Sequence, residues 1–433
     1  MKKAFILMLI LLSSIAFAQK TIITTDINNF WEAYDKIKAT KDSAAQLSII
    51  QNSYINKGTA GLKALMEVRN YTPQGFVNAI NRYPNYWSSV RANTLKVRNY
   101  AQKIETAVAS LNKLYPLKPA KIYFSIGALR TGGTTLADKV LIGAEISMAD
   151  EKTNTEEIKK DFPHLVSFFK TRPIDGLIFT NVHEYVHTQQ KTTIGNTLLT
   201  QVVLEGVAEL LAEKALKVSS PNPQIAFGKA NDAKIKAAFE KEMFSSSVAN
   251  WLYNSPNNEF KMRDLGYYVG YAICAQFYNL AKDKKAAIKE MIELDYNKEE
   301  DLIAFVEKSR YFEKPLLVYK EAFEKSRPEV IGIKEFENNS QNVNTNTKTV
   351  TLYFSQPMNI NFRGFDYGPT GERNVLMVQR VIGFSEDKKS FSYEVKLEPN
   401  RHYQSIVTER FRNENGIPLK AFLINFKTAE QPK

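Results

Sequence analysis

Two of the four histidines stand in the run His183-Glu184-Tyr185-Val186-His187, and a second run, Glu205-Gly206-Val207-Ala208-Glu209, follows. On a helix, residues four apart lie on one face, one turn from each other. His183 and His187 can then offer imidazole nitrogens to a single divalent ion, and zinc suits that spacing. Glu184 sits beside the first histidine and one turn ahead of the second. Its carboxylate can reach the water that such an ion activates and take its proton. The chemistry expected is hydrolysis of an amide. The bland alternative is two histidines on a helix face with Glu184 in solvent.

A hydrolytic zinc site needs a third protein ligand and an open position, and two histidines with a glutamate are one standard set. Glu205 lies in an apolar run from Leu198-Leu199 through Val202-Val203 to Leu210-Leu211. A carboxylate inside such a run is costly unless it is paired or binds a metal. Glu209, one turn on, can orient a ligand histidine by accepting its free N–H. The two roles can be exchanged, since either glutamate could reach the ion. The competing reading is a solvated acidic helix face carrying Glu205, Glu209 and Glu213.

His-Glu-Tyr-Val-His followed by Glu-Gly-Val-Ala-Glu resembles the gluzincin metallopeptidases, in particular the bacterial peptidase-MA-like group. The resemblance covers about 174–212 and extends more loosely over about 120–325. It implies Glu205 as the third zinc ligand and Glu184 as the general base. It also implies a Gly-Tyr-rich helix beside the zinc, which maps onto Arg263 to Tyr271. There Tyr268 and Tyr271, with Tyr271 ahead, are the candidate donors to the negative charge that develops on the scissile oxygen. An aromatic helix face packed in a core is the alternative for both tyrosines. A strand ahead of the active-site helix is implied as the sheet edge that receives an extended peptide, and 139–146 is the segment expected to form it.

The elements that must position these residues divide the chain. Residues 1–18 read as a signal peptide: Lys2 and Lys3, an apolar run Ala4 to Leu12, then Ala16-Phe17-Ala18. Export to the periplasm or beyond the cell follows, with no membrane span in the mature chain. Residues 19–118 are expected to be helical, with Val97, Tyr100, Ile104, Val108 and Leu111 forming a core stripe. Residues 119–326 form the expected catalytic domain. In it 121–126 and 140–146 read as strands, and the Gly/Thr-rich stretch 127–135 between them reads as a loop. Residues 220–325 again read helical.

From about 327 the texture becomes strand-like: 350–354, 375–382, 391–397, 403–407 and 422–426 are separated by Gly, Pro and Asn. The density of short strands suggests a β-sandwich. The runs around Gln356-Pro357, Pro399-Asn400 and Lys427-Thr428 resemble bacterial Ig-like modules appended to secreted enzymes. The whole is an α+β chain: a mainly helical gluzincin-type core with a small sheet, then an all-β Ig-like domain over 327–433.

Composition narrows the function class. Hydrophobic residues make up 44% of 433 positions, enough for more than one core. Cys274 is the only cysteine, so no intramolecular disulfide forms, and its apolar surroundings mark it as a buried hydrophobe. The net charge of +12 falls to +10 once Lys2 and Lys3 leave, and it is spread along the chain. No concentrated basic face or nucleic-acid module is present, so nucleic acid is not an expected partner. His164 reads as a surface or loop residue. The expected function is a secreted zinc-dependent peptidase acting on peptides or proteins, with Zn2+ as cofactor. Two rivals remain: a zinc-binding structural or surface-assembly protein with little turnover, and a binder acting through a surface or protein ligand of the C-terminal domain.

Overall fold

The computed structural model describes residues 21–430. The expected signal peptide, 1–18, lies outside them. The fold is α+β, and the chain divides into two compact units. One contains residues 21–193, 204–227 and 271–301; the other contains 194–203, 228–270 and 302–430.

The first unit opens with strand β1 (Ile22–Ile23) and six helices. These are α1 (Thr25–Lys38), α2 (Ser43–Ile50), α3 (Ala60–Arg69), α4 (Pro73–Arg82), α5 (Pro84–Leu95) and α6 (Ala101–Leu114). Local chemistry starts several of them. Asp42, Thr59 and Thr72 each accept an N–H of the following first turn, and Pro73 takes the first position of α4. In α1, Ile27, Phe30, Trp31, Tyr34 and Ile37 recur three and four apart, and all are buried. Phe30 packs with Trp31 and Trp87 at 5.1 Å between ring centroids, and with Tyr54 at 5.3 Å. Val97, Ile104 and Leu111 of the expected stripe are buried, whereas Tyr100 and Val108 are half-buried.

A four-stranded sheet follows, built on β1 with β2 (Lys121–Ser125), β3 (Gly133–Leu136) and β4 (Lys139–Gly143), in the order β1-β2-β4-β3. β1, β2 and β4 run parallel, and β3 returns antiparallel on β4, pairing Thr134 with Leu141 and Thr135 with Val140. Two expectations are corrected here. The strand expected over 140–146 stops at Gly143, and Ala144–Ser147 forms one helical turn, α7. That strand is also internal to the sheet. The edges belong to β1 and to β3, the latter in the stretch read from sequence as a loop.

The remaining helices are α8 (Pro163–Phe169), α9 (Leu177–His187), α10 (Leu198–Leu216), α11 (Pro223–Ala230), α12 (Asp232–Phe239), α13 (Leu265–Leu280), α14 (Lys284–Glu293), α15 (Glu299–Ser309) and α16 (Leu316–Ser326). His164 is exposed, on α8 rather than in a loop. No helix among the described residues is long and apolar enough to cross a membrane. Cys274 is fully buried, and burial pushes its thiol far above the ordinary range.

In the second unit the C-terminal residues form two antiparallel sheets. One has the order β5-β6-β9-β8, from Val330–Ile333, Thr349–Phe354, Ser390–Glu394 and Arg380–Phe384. The other has the order β11-β10-β7, from Phe422–Lys427, His402–Val407 and Phe365–Tyr367. Alternate residues of both sheets, including Leu352, Phe354, Phe391, Tyr393, Tyr403 and Phe426, share one apolar cluster. The strand expected over 375–382 begins only at Arg380; ahead of it Glu372–Asn374 takes a short helical turn, and Val375 makes only an isolated bridge to Gln404. On β8, Val381 and Ile382 are exposed at 41% and 53%. The register against β9 slips between Val381 and Gly383, a bulge, and Gly383 has φ +124°.

Candidate metal centre

Helix α9 carries the first motif and is buried on nearly all sides: Leu177, Phe179, Val182, Tyr185 and Val186 pack around it. Helix α10 is buried without a break from Leu198 to Ala212. Glu205 and Glu209 therefore lie in the interior, at 5% and 0% exposure, and are not part of a solvated acidic face. Glu213 is half-buried.

His183, His187 and Glu205 converge. The two Nε2 atoms are 3.2 Å apart, and each lies 3.3 Å from Oε2 of Glu205. The three atoms form a nearly equilateral triangle. Their proton inventory sharpens its meaning. Nδ1 of His183 lies 3.1 Å from Glu209 Oε2, and Nδ1 of His187 lies 2.6 Å from Gln190 Oε1. Both acceptors call for a proton on Nδ1, which leaves each Nε2 with a lone pair directed at the other and at a carboxylate. Three electron-rich atoms in such proximity are satisfied by a shared cation or by protons on the imidazoles.

A tetrahedral ion with bonds of about 2.0–2.1 Å holds its donors about 3.3 Å apart. The triangle has that size, and its two nitrogens and one carboxylate oxygen match zinc's preferences. The same charges set proton affinity. Burial opposes charge on His183, but the Glu205 and Glu209 carboxylates outweigh it and raise this imidazole to about 10. His187 is raised as well; burial again opposes and Glu205 prevails. Burial alone would raise Glu205, yet the two imidazoles hold it well below the usual carboxylate range.

The partner behind each imidazole is itself held in place. Glu209 accepts from Ser220 Oγ, and Asn222 Nδ2 lies 2.9 Å and 3.1 Å from its two oxygens. Gln190 donates from Nε2 to Tyr296 Oη at 2.9 Å and to the Leu204 carbonyl at 3.2 Å, and Tyr296 donates to the Met291 carbonyl. This fixes which end of the Gln190 amide faces His187. Gln190, Ser220, Asn222 and Tyr296 were not singled out from sequence. Gln190 stands three positions after His187, a spacing too ordinary to single it out.

Glu184 does not join the triangle. Thr135 Oγ1, on β3, donates toward its carbonyl at 2.8 Å and its Oε2 at 2.9 Å. The candidate tyrosines are placed differently. Tyr271 donates to Glu213 Oε1 at 3.0 Å, and burial with that carboxylate raises its phenol far above the ordinary range. Tyr268 belongs to the second unit and donates to Asp232 Oδ1 at 2.7 Å, an atom that Tyr311 also reaches at 2.6 Å.

No protein-family model matches the chain, and no curated protein matches it. Among solved structures, the S-layer protein rSbsC(31-844) is similar at 12% identity and a TM-score of 0.18, covering 95% of this chain and 46% of that one. Surface layer protein SbsC, domains 1-6, has the same identity and TM-score, with 94% and 45% covered. The N-terminal part of the bacterial S-layer protein SbsC reaches 13% and 0.18, with 93% and 77% covered. This chain thus spans less than half the length of the first two, and similarity at that TM-score establishes no shared fold.

Proposed function

We propose that the protein is an exported zinc-dependent peptidase of gluzincin type, in which His183, His187 and Glu205 hold the metal. The observation that carries this reading is the buried donor triangle, beside a glutamate that takes no part in it. When bound, zinc supplies a Lewis acid that polarises the scissile carbonyl and makes water easier to ionise. Glu184 accepts a proton from the attacking water and hands it to the leaving amine, so that base and acid are one carboxyl group. The substrate backbone pairs along β3, the edge beside Glu184, with main-chain hydrogen bonds that ask little of its side chains. Tyr271 remains the favoured donor to the developing negative charge, and its hydroxyl must leave Glu213 to serve. The C-terminal sheets form an Ig-like module of the same secreted protein.

A structural zinc protein is the second reading. The separate setting of Glu184 speaks against it, because a structural site closes its fourth position and needs no base. A mixed peptide library digested by the zinc-loaded protein and read by mass spectrometry separates the two. Cuts by the wild type and none by Glu184→Gln, with zinc retained, are expected. His183→Ala is expected to lose both zinc and cuts. Hydrolysis by metal-loaded Glu184→Gln would remove Glu184 from its role, and no cuts by the zinc-loaded wild type would favour the structural reading.

A further inference from the structure

Residues 133 and 135 are two apart on β3 and therefore point to the same face, and both meet Glu184. A Cβ added at Gly133 would lie 3.0 Å from Glu184 Oε1 and 3.2 Å from its Cγ. Thr135 Oγ1 is within hydrogen-bond distance of Glu184 Oε2 and of its main-chain carbonyl. That carbonyl is in the last turn of α9, where Thr188 N–H turns to Tyr185 instead.

We propose that Thr135 is a positioning residue for the base. It holds Oε2 of Glu184 so that Oε1, over the bare Cα of Gly133, is the oxygen that exchanges a proton with water. The inference rests on the peptidase reading for its role in turnover, though not for the geometry it asserts.

A hydroxyl suits this position: from one place it lies within reach of both Oε2 and the main-chain carbonyl of Glu184. Glycine at 133 keeps the other oxygen clear, since contacts of 3.0–3.2 Å would force any β-carbon and the carboxylate apart. The strand proposed to receive substrate therefore also aligns the base.

Thr135→Val keeps the shape and removes both contacts of the hydroxyl, and Thr135→Ser restores them. In steady-state kinetics on a peptide cut by the wild type, Thr135→Val is expected to lower kcat about 10–100-fold, part of what general base catalysis contributes. KM and zinc content should change little, and Thr135→Ser should recover most of the rate. Gly133→Ala should lower kcat without loss of zinc. Crystal structures of both Thr135 variants give a readout independent of turnover. The Glu184 carboxylate is expected to rotate away in Thr135→Val and to stay in Thr135→Ser. An unmoved carboxylate in Thr135→Val, or a serine variant no faster than the valine one, would overturn the inference. If the zinc-loaded wild type cuts nothing, the peptidase reading fails by itself, and the two crystal structures still decide whether Thr135 holds the carboxylate.

Discussion

The two imidazoles of the triangle are steadied by unlike partners: a buried carboxylate behind His183 and a neutral amide behind His187. A charged acceptor makes the imidazole a stronger donor to metal, and an amide chiefly fixes the ring's orientation. Glu209→Gln should therefore weaken zinc binding about 10–100-fold, measured by competition with a chromophoric chelator, and Gln190→Ala should weaken it less. Equal losses would mean that orientation alone matters. The sequence shows this unevenly. A glutamate one turn beyond Glu205, in an apolar run, is conspicuous because burial must be compensated. Gln190 is not, since an uncharged amide after a motif resembles any helix-end residue. Ser220 and Asn222 reach Glu209 from beyond the end of α10, and no spacing rule anticipates that.

Strand β4 and helical turn α7 meet at Gly143, and the carboxyl group of Glu145 folds back from that turn. It accepts N–H groups of Gly127 at 2.9 Å and Leu129 at 3.3 Å, on the loop between β2 and β3. Burial raises this carboxyl to about 7, and the two N–H groups recover only part of the shift. The folded state then binds the proton more tightly than the unfolded chain, so its stabilising effect is complete below about pH 4.5. It declines as pH rises and is gone above about 7. The span corresponds to about 3 kcal/mol. Thermal melts from pH 5 to 8 should show the wild type losing more stability than Glu145→Gln; parallel curves would contradict this. Sequence alone suggested a strand running through Glu145. Val140 to Gly143 do form one, but Gly143 ends it and Ala144 begins a turn. The Gly-Gly-Thr-Thr segment resembled a loop for a related reason: an edge strand is half-exposed and shows polar residues where an inner strand is apolar.

At the scale of the whole molecule, the helical N-terminal region and most C-terminal strands were legible, but the short strands Val330–Ile333 and Phe365–Tyr367 were not, because three or four residues carry too little periodicity. The second compact unit gathers 194–203, 228–270 and 302–430, segments far apart along the chain. Distant pairing of this kind leaves no local signal. The bulge on β8 has a consequence for handling the protein at high concentration. An edge strand with exposed Val381 and Ile382 could template the same strand of another molecule, and the slip at Gly383 breaks the straight rim that such pairing needs. A side chain at φ +124° is strained, so Gly383→Val should straighten the rim. Light scattering that climbs with concentration in Gly383→Val, and subsides when Ile382→Lys is added, is the expected result; unchanged scattering would show that the bulge guards nothing. On the expected outcome, a single glycine far along the chain from the candidate metal centre sets the colloidal limit at which the protein can be stored.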